Sequence, residues 1–196
     1  MFIKQIVTAV AVVAAACVSI PEAKAGLDHK AIAAKLHSIG VTTEFGDCGS
    51  NVHGPALGTY NSRDNHFCIS NEIPDMTLFN ETVVHEVIHV VQDCIGGGIA
   101  SPEMASITRY LSDGDVEQER LMDRQLIADL HEKGKLNNVY EWTSHLPDES
   151  KFIEIEAYHL ETSPLFVMKL LNKCTPKWSP TPALAGVFLI VLYTIK

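Results

Sequence analysis

The sequence is short of positive charge. Lys and Arg number 15 against 24 Asp and Glu in 196 residues, a formal net charge of −9. No basic run of five or more occurs. Binding to a phosphate backbone needs clustered Lys and Arg, so a nucleic-acid partner is not expected. Internal repeats and low-complexity linkers are lacking too, which leaves one domain of ordinary size with enough residues for a core. No CxxC pair is present, which argues against a four-cysteine zinc site.

Long apolar runs are also missing. The N-terminal stretch "QIVTAVAVVAAACVSI" (residues 5–20) is short for a span of roughly 20 residues. Lys4 precedes it, Pro21 breaks it, and Ala23-Lys24-Ala25 offers a small-residue cleavage site. This is the pattern of a signal peptide over 1–25. A retained anchor is the alternative, and Ala14-Ala15-Ala16 before Cys17 leaves room for a lipoprotein variant. Loss of Lys4, Glu22 and Lys24 would take the charge from −9 to −10. At the other end, "ALAGVFLIVLYTI" (183–195) follows two Ser/Thr-Pro steps. It reads either as a packed terminal strand or helix or as a tail making membrane contact, within a segment 175–196 set apart from the domain at 26–174.

Export changes how the cysteines read. Cys48, Cys68, Cys94 and Cys174 remain after cleavage, an even number that suits two disulfides. Of the three connectivities, Cys48–Cys68 with Cys94–Cys174 is the expectation. It would staple a loop-rich N-terminal part and tie the helix at 77–94 to the last helix.

Periodicity predicts a helix over 27–40, ending at Gly40, then short β-like stretches over 41–62, and a strand at "NHFCIS" (65–70). A long helix follows at 77–94, with Thr77 or Asp75 as cap and Gly96-Gly97-Gly98 as its end. Helices are predicted from Ser101-Pro102-Glu103 to Gly114, over 115–134 with Leu121, Leu126, Ile127 and Leu130 inward, over 146–162, and over 163–174. The fold class is α+β, mainly helical, with a small N-terminal β region.

Within the long helix stands "HEVIH", residues 85–89. Residues i and i+4 share a helix face, so His85 and His89 can place imidazole nitrogens on one metal ion. Glu86 lies about 100° around the helix, outside that ligand set but within reach of the metal's open position. Two ligands with a carboxylate base beside them is what metal-assisted hydrolysis needs. With nine His and fourteen Glu in the chain, chance would supply roughly 0.03 such motifs. Val83, Val84, Val87, Ile88, Val90 and Val91 surround it, so the helix should be buried, where unpartnered histidines are costly. The competing reading is a pair of core histidines bonded to backbone or carboxylate.

"HEVIHVVQDC" resembles the active-site helix of the zincin metallopeptidases. It is also similar to small exported HExxH proteins whose helix ends in Gln-Asp-Cys. The resemblance implies zinc, one ion per chain, on His85 and His89, with Glu86 as general base and proton shuttle. The metzincin branch needs Gly at 92 and His or Asp at 95, where this chain has Gln92 and Ile95, so that branch is excluded. The gluzincin-like members take a third ligand from a glutamate on a later helix, and "IEIEAYHLE" (153–161) supplies Glu154, Glu156 and Glu161. Glu156 shares an apolar stripe with Phe152, Ile153 and Leu160, where a carboxylate needs a partner. Glu156 is therefore the expected ligand, and Glu154, grouped with Ser150, Lys151, Tyr158 and Glu161 on a solvated face, the second choice.

Gln92, Asp93 and Glu81 are candidates to orient an imidazole. Tyr158 and His159, with Tyr140 and His145, are candidates to stabilise an oxyanion. The 65–70 strand is the candidate edge on which a peptide could pair. The implied activity is that of an exported zinc-dependent metallopeptidase acting on a peptide or protein substrate. The alternatives are a non-catalytic zinc-binding envelope protein and a zinc amidohydrolase acting on a non-peptide amide.

Overall fold

The structure is a computed structural model that describes residues 27–51, 54–99 and 103–175. The expected signal peptide and the apolar segment 183–195 lie outside the described residues. The expected class holds: a mainly helical α+β fold with a small sheet near its N-terminal end.

Helix α1 (His29–Ser38) starts where the Asp28 carboxylate accepts the Ala31 N–H at 3.0 Å, and it buries Ile32 and Leu36. Gly40, at φ 92°, takes the left-handed conformation that turns the chain into β1 (Thr42–Gly46). Strands β2 (Ser50–Asn51) and β3 (Gly54–Pro55) form a small antiparallel pair. Next come β4 (Gly58–Asn61) and β5 (His66–Ser70). The main sheet has the order β1-β5-β4, with β1 parallel and β4 antiparallel to β5. The expected edge strand at 65–70 is thus the central one, hydrogen-bonded on both sides, and β4 is an edge. The sequence pattern fits either place, because burial of Phe67, Cys68, Ile69 and Ser70 reflects packing and not ladder position.

Helix α2 (Met76–Gly96) is the centre of the fold. Asp75 caps it, its carboxylate accepting the Leu78 N–H at 2.8 Å. Its Val and Ile residues are mediocre helix formers, costing about 0.5 kcal/mol each against Ala. Six of them are almost fully buried, and burial contributes roughly 1.5–3 kcal/mol apiece. Packing therefore decides the conformation. The sheet covers one side of α2, with Phe67 and Ile69 in the shared core, while α6 (Asp148–Leu160) and α7 (Pro164–Leu171) cover the other. A smaller cluster of Leu126, Leu130, Val139 and Ile155 joins α4 (Val116–Glu132) and α5 (Leu136–Trp142) to α6.

Two expectations fail locally. The helix expected to start at 101–103 is only α3, Ile107–Leu111, capped by Ser106. Residues 103–105 lie against the end of α2 instead, where Ala105 donates to the Gln92 carbonyl at 2.9 Å. A Cβ on Gly96 would come within 2.3 Å of the Glu103 carbonyl oxygen, so this close approach needs glycine. Leu121, expected inward, is 53% exposed, because only the later turns of α4 reach the α5–α6 cluster. The sequence pattern does not predict helix α5, Leu136–Trp142.

Both expected disulfides form, Cys48–Cys68 and Cys94–Cys174. They point to an oxidising, extracellular environment. No helix among the described residues is long and apolar enough to cross a membrane.

Candidate metal centre

Helix α2 presents His85 and His89 to α6, and their Nε2 atoms stand 3.3 Å apart. The third group is Glu154, whose Oε2 lies 3.3 Å from His85 Nε2 and 3.5 Å from His89 Nε2. Among the described residues, these three form a group that could hold a metal ion. The expectation that Glu156 is the third ligand is corrected. Its carboxylate turns away, toward Ser106 and the backbone N–H groups of Ile107 and Thr108. The apolar stripe that singled it out does mark burial, but the partners are amides and a hydroxyl. Glu154 sits on the face that reads as solvated, and that face is the one turned to the histidines.

Each imidazole is held from behind. His89 Nδ1 is 2.8 Å from Gln92 Oε1, as expected of Gln92. His85 Nδ1 is 3.3 Å from Glu161 Oε2, and the other oxygen of Glu161 accepts from Lys135 Nζ at 2.7 Å. Glu161 lies seven residues after Glu154, two turns on along the same side of the chain, so the signal for it was present. Lys135 had none. Partners of this kind orient a ligating histidine and make it more basic.

Glu86 is buried beside the donor group without belonging to it. Edge strand β4 lies directly over it, since a Cβ on Gly58 would meet Thr82 Cγ2 at 2.7 Å and Glu86 Cγ at 2.8 Å. The Glu86 carboxyl accepts a backbone hydrogen bond from Tyr60. Burial pushes its pKa up, against the opposing pull of the two histidines. Asp93 does not orient an imidazole. It faces the sheet, where the Tyr60 hydroxyl donates to its Oδ2 at 2.6 Å. Tyr60 therefore pins β4 to α2 at two points, a role that its place in a weakly patterned segment hid.

The Tyr158 ring packs on His85, centroids 4.5 Å apart, with Trp142 on its far side at 5.5 Å. Burial, then Glu154, Glu161 and Glu86, hold the Tyr158 hydroxyl protonated well beyond its ordinary range. His159 does not join the site. It points to α4, 3.9 Å from Asp129, and burial lowers its pKa. Tyr140 and His145 are exposed. Glu81 acts on Lys135 through its charge, which helps to raise the lysine pKa.

The donor set fits a cation. Both Nδ1 atoms face acceptors, so their protons stay there and both Nε2 lone pairs converge on one point with a carboxylate. Without a metal, a proton takes that place. Burial works to lower the pKa of His85, but the hydrogen bonds of Glu154 and Glu161 outweigh it and push it up to about 10. Burial likewise opposes ionisation of Glu154, and the histidines hold it well below the usual carboxylate range.

No protein-family model, curated protein or solved structure matches the chain.

Proposed function

We propose that the chain is an exported zinc-dependent metallopeptidase. The observation that carries the reading is the convergence of His85 Nε2, His89 Nε2 and Glu154 Oε2 on one point, with Glu86 beside it under the edge strand β4. Two imidazoles and a carboxylate suit zinc, and three protein ligands leave its fourth position open, as in catalytic sites. When bound, zinc would supply Lewis-acid polarisation of a carbonyl and make water nucleophilic near neutral pH.

The chain's own residues do the rest. Glu86 takes a proton from the attacking water and later passes it to the leaving amine. The Tyr158 hydroxyl, kept protonated, is a donor available to an oxyanion. Ser70 donates to the Leu57 carbonyl at 2.8 Å, and ladder alternation then turns the backbone groups of Gly58 and Tyr60 to the outer edge. The Tyr60 N–H is already given to Glu86 there, so an extended peptide would pair at Gly58 and lie next to Glu86. Peptide thus fits better than a non-peptide amide, for which no feature of the site speaks.

The test is cleavage of an unfolded protein by purified residues 26–196, read by mass spectrometry. Cleavage should stop with a chelator, return with zinc, and be absent in Glu86→Gln, which should still hold one zinc per chain. A zinc-loaded wild type that cuts no peptide would overturn the peptidase reading. Zinc binding without any effect of Glu86→Gln would favour a non-catalytic zinc protein.

A further inference from the structure

Glu156 is fully buried, at 0% exposure, and touches neither histidine. Its Oε1 accepts from the Ser106 hydroxyl at 2.8 Å and the Thr108 N–H at 2.9 Å. Its Oε2 accepts from the Ile107 N–H at 2.9 Å and from Gln92 Nε2 at 3.0 Å. Four donors converge on one carboxylate, which can only accept.

That fixes Gln92. Its side chain is also wholly buried and must turn its nitrogen toward Glu156. The Ile153 carbonyl, 2.9 Å from the same nitrogen, demands the same orientation. The carboxamide oxygen is then left for His89 Nδ1 at 2.8 Å. Reversal would set that oxygen against two acceptors and offer His89 a donor. His89 would answer by accepting at Nδ1 and carrying its proton on Nε2, the atom that faces Glu154 and His85.

We propose that Glu156 is a positioning residue for the metal centre. By fixing which end of the Gln92 carboxamide faces His89, it keeps the proton on Nδ1 and the Nε2 lone pair free for a metal. The proposal rests on the metal-binding reading of the site. Simple support of α3 would be complete with Ser106, Ile107 and Thr108; the bond to Gln92 is the one that carries orientation to the ligand. A carboxylate at this depth is costly unless fully hydrogen-bonded, and here the partners that satisfy it also set the site.

The experiment compares wild type, Glu156→Gln, Gln92→Met and Ser106→Ala in the full mature chain. Zinc affinity is measured by competition with a chromogenic chelator, and stability by thermal unfolding in EDTA. The imidazole ¹H–¹⁵N spectrum of the zinc-loaded protein reports the His89 Nδ1–H. Glu156→Gln and Gln92→Met should each weaken zinc binding about 10–100-fold and lose the slowly exchanging Nδ1–H signal. Ser106→Ala removes a donor that does not act through Gln92, so it should lower the Tm and leave zinc affinity within about twofold. Wild-type affinity in Glu156→Gln would overturn the proposal. So would equal loss of affinity in Ser106→Ala and Glu156→Gln at equal loss of Tm. Where Glu156→Gln does not fold, Gln92→Met decides: unchanged affinity there overturns the proposal. A wild type that takes no zinc would sink the metal reading and this step with it, whereas tight zinc in all variants would sink this step alone.

Discussion

His85 and His89 face each other across one turn of α2 with their Nε2 atoms 3.3 Å apart, and Glu154 closes the triangle. Two lone pairs at that separation repel unless something positive lies between them. In the metal-free chain a proton does so. The His85 pKa, pushed up to about 10 from 6.5, means that the folded chain keeps this proton where the unfolded chain has lost it. The associated stability is complete below about pH 6.5 and is lost as pH rises through about 10.

Under the zinc reading, the metal must therefore displace a proton. At pH 8, calorimetric titrations in buffers of different ionisation enthalpy should show release of at least one proton per zinc bound. Zinc uptake without proton release would mean that the metal enters elsewhere. Glu154→Gln should weaken zinc by more than the ~10–100-fold that an outer hydrogen-bond partner is worth. In EDTA its Tm should also fall at neutral pH, because the Glu154 carboxylate is the main partner that holds the His85 proton in the metal-free fold.

Glu161 should matter through His85 alone. Its carboxylate is nearly buried, holds His85 Nδ1, and is itself held by Lys135. Burial lowers the Lys135 pKa, but the bond to Glu161 wins and the net shift is upward, so the lysine stays charged through the neutral range. Glu161→Gln should lower zinc affinity about 10–100-fold, and Lys135→Met should do so less. Equal zinc binding in wild type and Glu161→Gln would show that the His85 ring is fixed by packing against Tyr158.

What the sequence made legible follows from what periodicity can carry. His85, Glu86, His89 and Gln92 lie on one helix, where spacing alone gives the face. The third ligand needed the relation between two helices. The burial argument picked out Glu156 as the glutamate that cannot be solvated, and it is indeed buried. It could not say which way α6 turns that stripe, and three of the four partners of Glu156 come from the cap Ser106 and from α3, a five-residue helix too short to carry a period. Gly58 and Tyr60 escaped for a similar reason, since β4 has four residues and its meaning lies in what it covers.

His159, expected near the substrate, gives the chain a pH dependence of its own. Burial lowers its pKa below 6.5, so it stays neutral in the fold while the unfolded chain takes a proton. Stability is therefore complete above about pH 6.5 and falls as pH drops below it. Urea unfolding at pH 7.5 and 5.5 should show a smaller acid loss in His159→Gln than in wild type. The histidines of the metal centre titrate alike in both proteins, so the difference belongs to His159. An identical acid loss in the two would show that this side chain is solvated.

Gly58 tests whether the strand over Glu86 positions it. An Ala methyl there would meet Thr82 Cγ2 at 2.7 Å, Glu86 Cγ at 2.8 Å and Glu86 Oε1 at 3.0 Å, so either β4 or Glu86 must move. Overpacking of this kind costs about 1–3 kcal/mol, visible as a lower Tm. The histidines face α6, which carries Glu154, and not β4, so zinc affinity should be unchanged. Under the peptidase reading the hydrolytic rate should fall on the order of 10²-fold, the effect of displacing a catalytic group by about 1 Å. Retained zinc with lost turnover would separate the Glu86 carboxylate from the metal ligands by function. Unchanged turnover at a lowered Tm would mean that β4 yields and Glu86 is held by α2 alone.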